Sequence, residues 1–172
     1  MLRQAQQTKL KTTFMEIERK FIVKNNAYVE KAFRKRRIVQ GYICSDAERS
    51  VRVRICEDEA FLTIKSATNK RGWSRYEFEQ PLQMNDANEL IKLCQPGLIE
   101  KTRYDVKSGH HTWEVDVFQG ENEGLVVAEI ELASEDEVFK LPEWVGQEVS
   151  GEPKYYNMML AMQPYTRWQK NN

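Results

Sequence analysis

Along several short stretches of this 172-residue chain, charged residues of one sign recur two positions apart. Glu16 and Glu18 are followed by Lys20; further on come Arg52 with Arg54, Glu77 with Glu79, Lys101 with Arg103, Glu114 with Asp116, and Glu129 with Glu131. On a β-strand, residues i and i+2 share a face, so each pair projects to one side and its neighbours to the other. Many of those neighbours are apolar: Ile17 and Phe21, Val51, Val53 and Ile55, Tyr76 and Phe78, Val115 and Val117, Ala128, Ile130 and Leu132. Lys65 stands across from Leu62 and Ile64 in the same way. One charged strand face is ordinarily a solvated face. Like charges side by side repel, however, and solvated faces mix their signs. A series of same-sign pairs therefore points to ligands that neutralise them. Guanidinium and ammonium groups suit phosphate oxygens, while clustered carboxylates suit hard divalent cations such as Mg²⁺ or Mn²⁺. A metal-bound polyphosphate answers both sets, provided that they face one enclosed space.

The elements that must position these pairs read mainly as strands. Period-two alternation runs through FMEIERKFIV (14–23) and SVRVRI (50–55) and returns in FLTIK, RYEFE, TWEVDVF and VVAEIEL. TRYDV and TWEVDVF are joined by SGHH, which predicts a hairpin with His110 and His111 at its tip. Adjacent strand residues point to opposite faces and no third ligand is near, so the two histidines are not read as a metal site. Helical spacing is sparser: NNAYVEKAF (25–33) offers an Asn cap, and MNDANELIKLC (84–94) precedes Pro96-Gly97. Ser134 with Glu137 has the pattern of a capping box, and Pro153 can open a short helix through KYYNMMLAM. The pattern predicts a β-dominated α+β fold. Closing the strands into a barrel, apolar face outward under the helices, would turn the charged face into a lumen.

The length suits a single domain. Lys and Arg number 26 against 26 Asp and Glu, so no global field favours nucleic acid or an anionic membrane, and the expected partner is a small anionic substrate. Cys44, Cys56 and Cys94 are odd in number and lack metal-ligand spacing, which predicts reduced thiols in the cytoplasm. No window approaches a membrane span, and the first thirteen residues contain no apolar stretch of the signal-peptide kind.

At the charge pairs the chain resembles the CYTH superfamily, the triphosphate tunnel metalloenzymes. Their Glu-x-Glu-x-Lys signature stands here as Glu16-Ile17-Glu18-Arg19-Lys20. Arg52-Val53-Arg54, Lys65, Glu77-Phe78-Glu79, Lys101-Thr102-Arg103, Asp116 and Glu129-Ile130-Glu131 follow in family order, between about Met15 and Met162. The resemblance implies an eight-stranded closed antiparallel β-barrel tunnel with peripheral helices. EIERKF and Gln40-Gly41-Tyr42 are most similar to the short bacterial inorganic tripolyphosphatases. This implies metal-dependent hydrolysis of tripolyphosphate to diphosphate and phosphate, with Mg²⁺ or Mn²⁺. The rivals on the same fold are a class IV adenylyl cyclase and a thiamine or nucleoside triphosphatase, for which Trp73 and Tyr76 offer stacking surface. A non-catalytic polyphosphate-binding module is the rival of another class; the many acidic residues argue against it.

The resemblance and the chemistry together nominate Glu16, Glu18, Asp116, Glu129 and Glu131 as metal ligands. Arg52, Arg54, Lys65, Lys101 and Arg103 would hold the triphosphate, joined by Lys154, where relatives often carry Arg. Lys20, its pKa lowered by neighbouring cations, would help to activate water with Tyr42. Glu77, Glu79 and Glu114 would orient the basic side chains. Residues 1–14 are expected to be an N-terminal extension to a tunnel domain spanning 15–172; a lid using Lys9 and Lys11 is the rival reading. A homodimer is left open.

Overall fold

The computed structural model describes residues 15–168, so the expected extension with Lys9 and Lys11 lies outside the described residues. Ten strands form the body: β1 (Glu16–Val23), β2 (Ala32–Ser45), β3 (Arg49–Cys56), β4 (Glu59–Ser66), β5 (Ser74–Arg75), β6 (Glu77–Leu82), β7 (Ile99–Ser108), β8 (His111–Phe118), β9 (Val126–Glu131) and β10 (Val145–Glu148). Three helices accompany them: α1 (Tyr28–Lys31), α2 (Met84–Lys92) and α3 (Asn157–Met162). The antiparallel sheet runs β10-β1-β9-β8-β7-β2-β3-β4-β6, with β5 paired separately to β1.

The expectation of a closed eight-stranded barrel needs correction, because the ladder has unpaired ends, β10 and β6. The cause is local. Tyr76 exchanges bonds with Ser66 through its backbone N–H and carbonyl, 3.1 and 3.0 Å, and splits the RYEFE stretch in two. Before it, Ser74 and Arg75 pair with Ile17 and Glu16 on β1; after it, Glu77 and Glu79 pair with Lys65 and Thr63 on β4. The sheet is curled strongly enough that Lys65 Nζ of β4 reaches Glu16 Oε1 of β1 at 2.7 Å. A second bridge joins the loop before β5 to the segment after β10. Gly72 and Gly151 both have positive φ, 75° and 74°, and a Cβ on Gly72 would stand 2.4 Å from the Gly151 Cα. Only glycine permits that approach in that conformation.

Face parity follows the period-two reading. Phe21, Val106, Trp113, Val115, Ala128 and Ile130 form an outer cluster under Tyr28 of α1 and Trp144. Trp113 meets Phe21 and Trp144 edge to face, with centroids 5.5 and 5.8 Å apart. A second outer cluster sets Val53 and Ala60 against Ala87, Leu90 and Ile91 of α2, whose three-to-four spacing gives that helix its buried stripe. The third cluster lies at one end of the inner face. Register puts Phe118 opposite Lys101 and Val127 opposite Asp116, so these apolar residues share the charged side and pack with Ile99 and Leu160 of α3. Burying a side chain such as Leu160 there stabilises the fold by roughly 1.5–3 kcal/mol.

Two strands, β2 and β10, escaped the sequence reading. β2 was hidden because its first half, Arg34-Lys35-Arg36-Arg37, is polar on both faces and shows no alternation. The helix expected over 25–33 shrinks to Tyr28–Lys31 because Ala32 already pairs with Val106 and opens β2. Ser134 and Glu137 do not open a helix either. The Glu137 carboxylate accepts from the Ala133 N–H and contacts His111 Nε2, making a turn. No helix among the described residues is long and apolar enough to cross a membrane.

Candidate active site

The inner face gathers the charge pairs around one cavity of about 620 Å³. Its walls include Glu16, Glu18 and Lys20 of β1, Tyr42 of β2, Arg52 and Arg54 of β3, and Lys65 of β4. Arg75 of β5, Glu77 and Glu79 of β6, Lys101 and Arg103 of β7, Glu114 of β8, and Glu129 and Glu131 of β9 complete the acidic and basic lining. His110 and His111, at the expected hairpin tip, also line it. Two expected site residues are not part of the wall. Asp116 is wholly buried and bonded to Lys101 and Arg103. The Lys154 ammonium lies 5.0 Å from the ring centroid of Tyr155 and 5.1 Å from that of Trp168.

Same-sign pairs along a strand are partly answered by opposite signs on the next strand. The bases of β7 face the acids of β8: Lys101 Nζ is 2.5 Å from Asp116 Oδ2, and Arg103 bonds Asp116 through Nε and Nη2 at 2.6 and 2.7 Å. Arg103 also bonds Glu114 and reaches Glu129 at 3.1 Å. Lys20 lies 2.8 Å from Glu129, and Arg54 lies 3.0 Å from Glu79. Lys65 and Arg75 both hold Glu16, while Lys65 also pairs with Glu77 at 2.6 Å. Charges this deep need such partners, since an unpaired buried charge is strongly disfavoured.

These pairings decide the protonation states. Burial works to raise Glu16, but Lys65 and Arg75 outweigh it and hold the carboxyl well below its usual range. Lys20 departs from expectation. Burial works to lower it, yet Glu129 and Glu18 win and hold it above the ordinary lysine value, so it is a firm ammonium at neutral pH. The residue brought down is Lys101, to about 8, by burial first and also by Arg103, against the opposing pull of Asp116. Arg54 falls to about 10 through burial and Arg52, which still leaves it charged at neutral pH. Burial raises Tyr42, keeping its phenol neutral.

Among the described residues, no three Asp, Glu, His or Cys side chains are gathered as a finished metal cage. Of the five expected ligands, Glu16, Asp116 and Glu129 are held by lysine and arginine, and Glu18 stands near Lys20. Glu18 and Glu131 are direct cross-strand partners between β1 and β9, with Glu129 beside them. Burial first, then Glu129, push Glu18 up to about 7, although Lys20 Nζ stands 3.8 Å away. A hard cation bound between such carboxylates would relieve that cost.

Several members of the site went unrecognised in the sequence. Arg75 shares the parity of Glu77 and Glu79, and Asp105 that of Lys101 and Arg103, so alternation could have found both. Asp105 holds Arg36 at 2.7 and 2.8 Å. Arg36, Thr63 and Asn157 carried no readable signal. Thr63 bonds Glu79 at 2.9 Å, and Asn157 Oδ1 accepts from Lys101 at 3.3 Å.

Comparison with known proteins agrees with this arrangement. The CYTH domain matches residues 15–156. A protein of Acetivibrio thermocellus named inorganic triphosphatase is 47% identical over 157 residues, covering 90% of this chain and 98% of its own. One of the same name from Nitrosomonas europaea is 33% identical over 151 residues, covering 86% and 97%. A crystal structure described as that of an inorganic triphosphatase superposes with a TM-score of 0.62 at 32% identity, covering 86% of this chain and 94% of the other. The chain belongs to the CYTH domain family.

Proposed function

We propose that this protein hydrolyses inorganic tripolyphosphate to diphosphate and phosphate, using Mg²⁺ or Mn²⁺, inside a tunnel formed by the curled sheet. The observation that carries the reading is one cavity in which Arg52, Arg54, Lys65, Lys101 and Arg103 share the walls with the Glu18–Glu131 pair. The relatives named inorganic triphosphatase support it. Contact of β5 with β1 and of Gly72 with Gly151 would serve as the seam of the tunnel.

The basic residues would hold the phosphate oxygens and stabilise charge moving onto the departing diphosphate. Glu18 and Glu131, with Glu129 beside them, would hold the divalent cation. Glu16 and Asp116 would complete its shell, the ion competing with the cations that now hold Glu16, Asp116 and Glu129. Bound there, such an ion supplies charge neutralisation and acidifies a water. Attack of water on the terminal phosphorus would form the new P–O bond as the bond to the bridging oxygen breaks, the water's proton passing to solvent and the diphosphate leaving among the basic side chains. Lys20, a firm ammonium beside Glu129, would donate hydrogen bonds to the reacting phosphate and not act as a base. Tyr42 would position the water as a neutral phenol. Glu77, Glu79 and Glu114 steer Lys65, Arg54 and Arg103 by direct contact.

A nucleotide substrate would need a stacking face, and Trp73 has the Arg19 guanidinium 4.1 Å from its ring centroid, with Arg71 at 5.5 Å. The setting we propose is cytoplasmic, in keeping with Cys44, Cys56 and Cys94, which are all free. A phosphate-release panel with Mg²⁺ or Mn²⁺ tests the reading. Tripolyphosphate should be cleaved faster than ATP or thiamine triphosphate. Cyclic AMP from ATP would replace it with a cyclase, and binding without release under either metal would replace it with a polyphosphate-binding module.

A further inference from the structure

Gln40 is an inner-face residue that the charge network leaves out. It lies on β2 between Ile38 and Tyr42, directly opposite Arg54 of β3 and Ile99 of β7. It has no exposed surface, and neither its amide oxygen nor its amide nitrogen has a hydrogen-bond partner among the described residues. An amide offers two donors and an acceptor, and burying both ends unpaired is disfavoured. An apolar side chain of the same length would fill the space without that cost. The stability of the ligand-free fold therefore gives no reason for an amide here.

The neighbouring residue has the matching gap. Arg54 Nε is also buried without a partner, as is Arg52 Nε. The far end of Arg54 is meanwhile drawn toward Glu79, with Nη2 at 3.0 Å from its carboxylate. An unused acceptor thus stands across the ladder from an unused donor, on a side chain that faces the cavity.

We propose that Gln40 is a positioning residue for Arg54, its Oε1 accepting the Arg54 Nε–H once phosphate oxygens take the terminal nitrogens from Glu79. The inference rests on the tripolyphosphate reading. Gln40 does not touch the substrate. It fixes the plane of the guanidinium, so that the two outer nitrogens address the phosphate together. The side-chain length matters, because the acceptor must reach Nε from one strand away.

The test is a coupling experiment on the full chain. Gln40→Met keeps the length and removes the acceptor. Its melting temperature should equal or exceed that of the wild type, while the KM for tripolyphosphate rises about tenfold with kcat changed much less. In an Arg54→Lys background, which has no Nε–H to orient, the same change should alter KM by less than about twofold. An equal effect in both backgrounds, or no effect on KM in the wild type, overturns the assignment. Should Gln40→Met fail to fold, Gln40→Glu replaces it: the retained acceptor keeps KM within about threefold of wild type, and a larger rise overturns the assignment. Calorimetric binding of tripolyphosphate keeps the two readings apart. A wild-type chain that neither binds nor cleaves it removes the substrate reading itself, whereas equal binding by wild type and Gln40→Met removes only the role of Gln40.

Discussion

Glu18 is the carboxylate whose burden the fold leaves least relieved. Its carboxyl titrates at about 7 in the folded chain against an ordinary 4.5. Between those values the folded state keeps a proton that the unfolded state has released. Stability contributed at this position therefore falls as pH rises from 4.5 to 7, and the full penalty stands above 7. Glu18→Gln removes the penalty. In metal-free buffer the variant should melt higher than wild type by roughly 2–4 °C above neutral pH, and the two should converge in acid. Added Mg²⁺ should raise the wild type and leave the variant nearly unchanged. A variant that melts lower at every pH would show that Glu18 supports the fold, and the metal assignment would lose its main argument.

Among the elements, the short strand β5 and its preceding loop carry the join between the two edges of the sheet. The loop is tied by Glu135, which accepts from Asn69 and Ser74 at 2.5 and 2.8 Å, and by the Gly72–Gly151 contact. An alanine at Gly72 meets both a positive φ and a backbone 2.4 Å away, whereas Gly109 has a positive φ with nothing within 4 Å of its Cβ direction. Gly72→Ala should therefore cost more than Gly109→Ala, about 2–4 kcal/mol against about 1. Chemical denaturation of the two variants gives the comparison. Gly72→Ala should also slow phosphate release from tripolyphosphate, because Trp73, Ser150 and Tyr156 line the cavity on either side of the contact. Equal stabilities would mean that the loops part without consequence.

For the whole molecule, the basic groups facing the cavity come from strands between residues 20 and 103, and the family match begins at residue 15. Lys9 and Lys11, before that point, would add little to the basic groups already concentrated around the cavity. A chain beginning at Met15 should keep both its melting temperature and its rate on tripolyphosphate. A large loss of rate at unchanged melting temperature would make Lys9 and Lys11 part of the site.

Alternation in the sequence was enough to assign the inner and outer faces, because side-chain direction on a strand follows from parity alone. It put Arg52 beside Arg54, Glu129 beside Glu131, and Val115 and Ile130 on the opposite side, as the register of β3, β8 and β9 bears out. Family order added the expected chemistry. Parity says nothing of which strand lies next to which, and several outcomes turned on that. Register set Lys101 and Arg103 against Asp116, Lys20 against Glu129, and Glu18 against Glu131. Those neighbours raised Lys20 where a lowered value was expected, and burial lowered Lys101. β2 stayed illegible because four consecutive bases hide its period, and with it went Arg36 and the orphaned amide of Gln40. Where each charge points is local geometry and was legible; what each charge meets depends on strands far apart in the chain, and only the folded sheet decides it.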